Sequence, residues 1–170
     1  MHPGFVVHNG PKLLEVRAEV GDNYGANFDP SHLFWQNIDA LDTLNALLDA
    51  EAVFHVHGKD MAFNPRQERL HGVLDARNYG DIRNRSWVFR TIGYGHDEVF
   101  WGQMASDLAT PKIVGYTAEG KPIPKALYKK GVISIEHEDS LMSANEGFGK
   151  AVATLDRVVI REEAGTAHWF

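Results

Sequence analysis

The sequence predicts an α/β protein built on parallel strands, and three stretches carry that expectation. Val53-Phe54-His55-Val56-His57-Gly58-Lys59-Asp60 alternates apolar and polar residues with period two, the pattern of a strand with His55 and His57 on one face. Tyr24 to His32 and Val132 to Asp139 share its grammar, an apolar run that ends in carboxylate and histidine. Helical patterns separate these runs, so that strand and helix alternate about four times, as in parallel β/α units.

The elements follow in order. From Pro11 to Val20, Leu13, Leu14, Val16 and Val20 recur at helical spacing, with Pro11 suited to the first turn and Gly21 to the C-terminal cap. Tyr24 to Phe28 reads as a strand. Asp39 to Leu48 reads as a helix with Asp39 at its N-cap and Leu41, Leu44, Leu47 and Leu48 as its apolar stripe. The strand around His55 and His57 comes next. Residues 61–95 lack sustained periodicity and contain Pro65 and four glycines, which predicts a long active-site loop following a strand end. Asp97 to Leu108 is a helix with Val99, Phe100, Met104 and Leu108 on one face. Residues 110–130 are polar, hold Pro111, Pro122 and Pro124, and read as a peripheral insertion. Val132 to Glu136 is the last strand and Asn145 to Val159 the last helix. The aromatic tail His168-Trp169-Phe170 is expected to dock. A closed eightfold barrel takes about 250 residues; these 170, read as one domain, carry roughly half its elements, the expectation being half a barrel.

Composition narrows the function classes. A hydrophobic content of 44% with 24% charged residues is that of a soluble globular chain. The net charge of -6 supplies no general basic footprint, which argues against a nucleic-acid partner. Cysteine is absent, so disulfides and thiolate metal sites are excluded. Neither a signal peptide nor an apolar run of membrane-spanning length is found. The expectation is a cytoplasmic protein with no membrane partner.

The polar strand ends supply the candidate chemistry. Asp29-Pro30-Ser31-His32 sets an acid and an imidazole three residues apart where a strand turns toward a helix, and Pro30 biases Asp29 to extended geometry. Asp29 serves equally well as a helix N-cap or as a ligand on this motif alone. A lone histidine on an apolar strand is more often hydrogen-bonded core than ligand, and the residues after Glu136 read as chain emerging into solvent. An inward Glu136 requires a cation or a proton, because burying an unpaired carboxylate is costly. Taken together, an Asp, a His and a Glu at the ends of successive parallel strands converge on one pocket. Oxygen and imidazole donors without thiolate favour Mn²⁺, Mg²⁺, Co²⁺ or Zn²⁺.

Four ordered motifs then carry a resemblance: His2-Pro3-Gly4-Phe5, Gly25 to Leu33, Phe54-His55-Val56-His57-Gly58-Lys59-Asp60, and Ile135-Glu136-His137-Glu138-Asp139. With Phe89 to Asp97 added, the chain resembles the sugar phosphate isomerase/epimerase family, xylose isomerase-like TIM barrels related to endonuclease IV. The resemblance implies the carboxy-terminal half of a TIM (β/α)8 barrel. It implies a metal site of Asp29, His57 and Glu136, with Glu136 also catalytic as one of the two glutamates that remove and return the proton, and His32, Lys59 and Arg90 as substrate-binding residues. Phe63 stands where some epimerases carry an arginine, which leaves Arg85, Arg90 and Lys59 for recognition at that end. A further family glutamate would fall before Met1, so the chain is expected to be a truncated form whose open strand edges favour a homo-oligomer. The implied substrate is a small sugar or sugar phosphate, isomerised or epimerised by proton transfer through an enediolate. Two other readings stand beside it: a metal-dependent hydrolase of the abasic-site endonuclease type, drawing on His71, Asp75 and His96, and a non-catalytic fragment or interaction module.

Overall fold

The computed structural model describes residues 1–161, so the tail His168-Trp169-Phe170 lies outside the described residues. Asn9 opens the first helix, α1 (Gly10–Val20), by accepting the Lys12 N–H at 2.9 Å, and Gly21 closes it at φ 106°, a left-handed value that favours glycine. Strand β1 (Ala26–Phe28) leads through Asp29 into the short helix α2 (Pro30–Trp35). Helix α3 (Ala40–Asp49) is capped by Asp39 and buries Leu44, Leu47 and Leu48. Strand β2 (Val53–Gly58) follows, and Lys59 links it directly to β3 (Asp60–Phe63).

Residues 61–95, expected as a loop, are partly regular. They hold most of β3, helix α4 (Pro65–His71), a 3-10 turn (Ile82–Asn84) and strand β4 (Trp87–Arg90). Helix α5 (Glu98–Ala109) starts from Asp97, whose carboxylate accepts the Val99 and Phe100 N–H groups. The expected insertion is a hairpin of β5 (Lys112–Tyr116) and β6 (Pro122–Lys125) with a largely exposed burial pattern. Strand β7 (Ile133–Ile135) and helix α6 (Ala144–Val158), capped by Ser143, complete the described chain.

The strand pairing corrects the predicted fold. The C-terminal half of a TIM barrel would place successive strands side by side in one parallel sheet. Instead, the protein is a small mixed α/β fold with three small sheets. One is parallel and three-stranded in the order β1-β2-β7, and the others are the antiparallel pairs β3-β4 and β5-β6. The physical reason lies at Lys59. Just past β2 the chain turns out of the parallel sheet, and Asp60 to Phe63 then pair antiparallel with Arg90 to Trp87. β4 is thereby kept from the slot between β2 and β7, which bond to each other directly. Period-two alternation marks a strand but is silent on the direction of its partner.

The core joins Phe28, Leu33, Leu44, Leu47, Val56, Trp101 and Met104, all nearly inaccessible to solvent. Gly58 sits where β2 meets this packing, and a Cβ there would lie 2.7 Å from Ile92 Cδ1 and 3.0 Å from Ile133 Cγ2, so those side chains would have to shift. Among the described residues, no helix is long and apolar enough to cross a membrane.

Candidate metal centre

Strand register brings the three expected donors together. Phe28 lies opposite Val56, so Asp29, one residue on, comes level with His57. His57 pairs with Ser134 and Gly58 with Ile135, and the Glu136 N–H continues the ladder to the Gly58 carbonyl at 3.1 Å. Asp29, His57 and Glu136 can each present a ligand atom such that all three lie within 4.8 Å of one another. His57 Nδ1 is 2.9 Å from Glu136 Oε2 and 3.7 Å from Asp29 Oδ2.

Asp29 is the N-cap of α2 and keeps its second oxygen toward the cluster. Its Oδ1 caps α2, accepting the Ser31 N–H at 2.9 Å and the Ser31 hydroxyl at 2.6 Å. Its Oδ2 is buried, has no aligned hydrogen bond, and faces His57, His32 and Lys59. The Lys59 ammonium at 3.1 Å offsets the charge of this oxygen without an aligned hydrogen bond, so acceptor capacity remains there. Two carboxylates and an imidazole around it form a donor set suited to a hard or borderline divalent cation. The residues present therefore fit the ion that the resemblance implies.

Two of the three expected substrate-binding residues join this cluster. His32 Nε2 lies 3.5 Å from Asp29 Oδ2, with its ring 4.6 Å from that of His2. Lys59, only 2% exposed, places Nζ 3.1 Å from Asp29 Oδ2 and 3.0 Å from Glu136 Oε2. Arg90 is committed elsewhere: its Nε bonds to Asp139 at 3.1 Å. His55, the other histidine of the strand, stands edge-on to His57 at 5.4 Å and is half-buried.

Sequence reasoning passed over two neighbours. Glu138, read as solvated, approaches Lys59 Nζ at 3.1 Å. The only hint was its spacing of two from Glu136, which shares a face if extended backbone continues past β7. Asn27 Nδ2 lies 3.4 Å from His57 Nε2. For Nδ1 to offer a lone pair to a cation, Nε2 must carry the proton, and rotating the Asn27 amide turns its oxygen to accept it.

The cluster shifts its own titration. Burial would raise the Asp29 carboxyl, but His57, His32, Lys59 and Ser31 together outweigh it and hold the group well below the usual carboxylate range. Burial pushes His32 down to about 4 against the opposing pull of Asp29. Asp29 foremost, and Glu136 with it, hold the His57 imidazolium above its ordinary value despite burial. Glu136 is the nearer of the two, yet its side chain is 38% exposed and water screens it, whereas the Asp29 charge is buried. Lys59 is also raised: its carboxylate neighbours overcome the burial that would lower it.

Two clefts compete for the chemistry. The larger, about 610 Å³, is lined by Phe34, Phe63, His96 and Phe100 among others and includes none of the three donors. The other, about 590 Å³, is lined by Glu138 together with Trp35, Tyr79, Trp87 and Phe89. Asp29, His57 and Glu136 line neither cleft, but Glu138 and the Phe89 ring, which line the second, both contact the Lys59 ammonium, the ring at 4.6 Å, so the second cleft borders the donor cluster.

Fold and site together define a class: a mixed α/β protein whose parallel strand ends present an oxygen–nitrogen–oxygen donor set. No protein-family model matches the chain. It is 30% identical over 154 residues to YfiH of Bacillus subtilis (strain 168), an uncharacterized protein, and that alignment covers 91% of this chain and 44% of YfiH. The chain thus spans less than half the length of this curated relative.

Proposed function

We propose that this chain carries the divalent-cation centre of a sugar or sugar phosphate isomerase/epimerase. The observation that carries the reading is the convergence of Asp29, His57 and Glu136, whose ligand atoms lie within 4.8 Å of one another, with Asp29 Oδ2 buried among them. Asp29, His57 and Glu136 would hold the ion, of the Mn²⁺, Mg²⁺, Co²⁺ or Zn²⁺ class. When bound, it would supply Lewis acidity to neighbouring carbonyl and hydroxyl oxygens. Glu136 keeps a partly exposed carboxylate at the mouth of the cluster, where it can take a proton from a carbon next to a carbonyl. His32, largely neutral because burial lowers it, can hydrogen-bond a substrate hydroxyl without adding charge. The aromatic walls of Trp35, Tyr79 and Phe89 suit the C–H face of a sugar, and the whole reading is of a cytoplasmic enzyme with a small-molecule substrate.

The hydrolase alternative is less well supported. Asp75 is taken up by Arg77 and the Ser86 N–H, and His96 by Asp60, so these two groups are engaged away from the Asp29 cluster. Calorimetric titration with Mn²⁺ tests the proposal. Binding by the wild type that is abolished in Asp29→Ala, His57→Ala and Glu136→Ala supports the centre; a wild type that binds no divalent ion refutes it. Solvent deuterium exchange into a ketose, lost in Glu136→Gln, would test the proton transfer.

A further inference from the structure

We propose that Lys59 is a built-in counter-cation that competes with the divalent ion for Asp29 and Glu136, so that the ion is held exchangeably. The inference rests on the divalent-cation reading above and concerns how that site is regulated. Three carboxylates, from Asp29, Glu136 and Glu138, lie within 3.1 Å of the Lys59 ammonium, against this single positive charge. With His57 deprotonated, as ligation requires, three carboxylates and one ammonium leave two negative charges, the balance that one divalent cation would complete. Two of the three carboxylates are also the candidate ligands.

The geometry sets the competition. Lys59 Nζ stands 3.1 Å from Asp29 Oδ2, yet that oxygen has no aligned hydrogen bond. The ammonium thus offsets charge at Oδ2 while leaving a lone pair free. An ion sharing Asp29 and Glu136 with Lys59 meets a like charge at short range in a partly buried setting, where Coulomb interactions are strong. Lys59 cannot readily withdraw, since it is 2% exposed, its stem is fixed between β2 and β3, and its head rests on the Phe89 ring. Without an ion the same ammonium keeps buried carboxylates from standing uncompensated. Lys59 therefore stabilises the ion-free protein and weakens the ion-bound one.

The test titrates the chain with Mn²⁺ by calorimetry as wild type, Lys59→Met and Lys59→Gln, and records thermal melts of each in chelator and in Mn²⁺. Both neutral variants are expected to bind Mn²⁺ about tenfold more tightly or better. Their melting temperatures in chelator should fall by several degrees, on the order expected for a small domain, and recover with Mn²⁺. If wild type binds and the neutral variants bind equally or more weakly, Lys59 orders the ligands and the proposal is overturned. It is also overturned if Lys59→Gln matches wild type while Lys59→Met does not, because hydrogen bonding would then matter and charge would not. Failure of both variants to fold even with Mn²⁺ would overturn it too, since the ion would not replace the ammonium. Absence of Mn²⁺ binding in the wild type as well would instead remove the metal reading itself.

Discussion

Two buried aspartates, Asp29 just past the end of β1 and Asp60 at the start of β3, each have an imidazole beside them, yet their bonding differs. Asp60 is inaccessible to solvent and both its oxygens are used. Oδ1 accepts the Met61 N–H and meets His96 Nδ1 at 2.7 Å, while Oδ2 accepts the N–H groups of Gly93, Gly95 and His96. The loop lies so close that a Cβ on Gly95 would fall 2.0 Å from the Met61 carbonyl oxygen. Asp29 spends one oxygen on capping α2 and leaves the other without an aligned hydrogen bond, ion-paired to Lys59 at 3.1 Å and facing His57 and His32. A saturated buried carboxylate ties a fold together; a half-saturated one of equal burial holds acceptor capacity in reserve.

The comparison can be broken first at Asp60. Asp60→Ala should cost about 3 kcal/mol or more, because it orphans several buried N–H donors at once. Urea denaturation checks this, and a loss below about 1 kcal/mol would mean that the loop does not depend on Asp60. The next largest effect is expected at Asp29, on binding. Asp29→Asn keeps an oxygen for the α2 cap but loses the charge, so Mn²⁺ binding should largely disappear, and stability in chelator should fall because the buried Lys59 ammonium loses one carboxylate partner. Asp29→Ala should lose binding and, in addition, about 1 kcal/mol of cap energy.

Asp75 sharpens the contrast through pH. Arg77 foremost, opposed by burial and helped by the Arg77 and Ser86 N–H groups, holds its carboxyl far below the ordinary 3.8. A group depressed in the folded state contributes stability that is present above its unfolded value and lost as pH falls through the folded one. Acid melts of the wild type should therefore steepen below about pH 4, and Asp75→Asn should flatten that limb. An unchanged acid profile would show that this carboxyl is not depressed. The smallest effect is expected at Asn27. Asn27→Leu removes the partner of His57 Nε2 and should weaken Mn²⁺ binding about tenfold with stability nearly unchanged. Equal affinity would mean that the His57 tautomer is set elsewhere.

Much of the site was legible because its logic is local. The strand-end motifs named Asp29, His57 and Glu136, which the structure brings together, and the Asp-Pro-Ser-His turn offered Asp29 as a cap or a ligand, of which the cap is observed. Helix ends at Gly21, Asp39 and Asp97 were equally readable, since a cap is a bond between near neighbours in the chain. The bond of Arg90 Nε to Asp139 was not legible, because the two residues lie far apart along the chain and meet only after folding. The hairpin across residues 110–130 was missed because its strands are short, largely exposed and interrupted by prolines, leaving no burial pattern to read.

By itself, then, the sequence determined which segments are helix and strand along most of the chain and which strand ends carry donors. Both follow from side-chain periodicity and short-range hydrogen bonding. Only the tertiary structure decided that β3 leaves the parallel sheet to pair antiparallel with β4, that β2 bonds directly to β7, and that the Lys59 ammonium lies among three carboxylates. Alternation records which face of a strand is buried, not which strand lies beside it. Pairing is chosen by competition among segments distant in sequence, whose outcome depends on how all of them pack together.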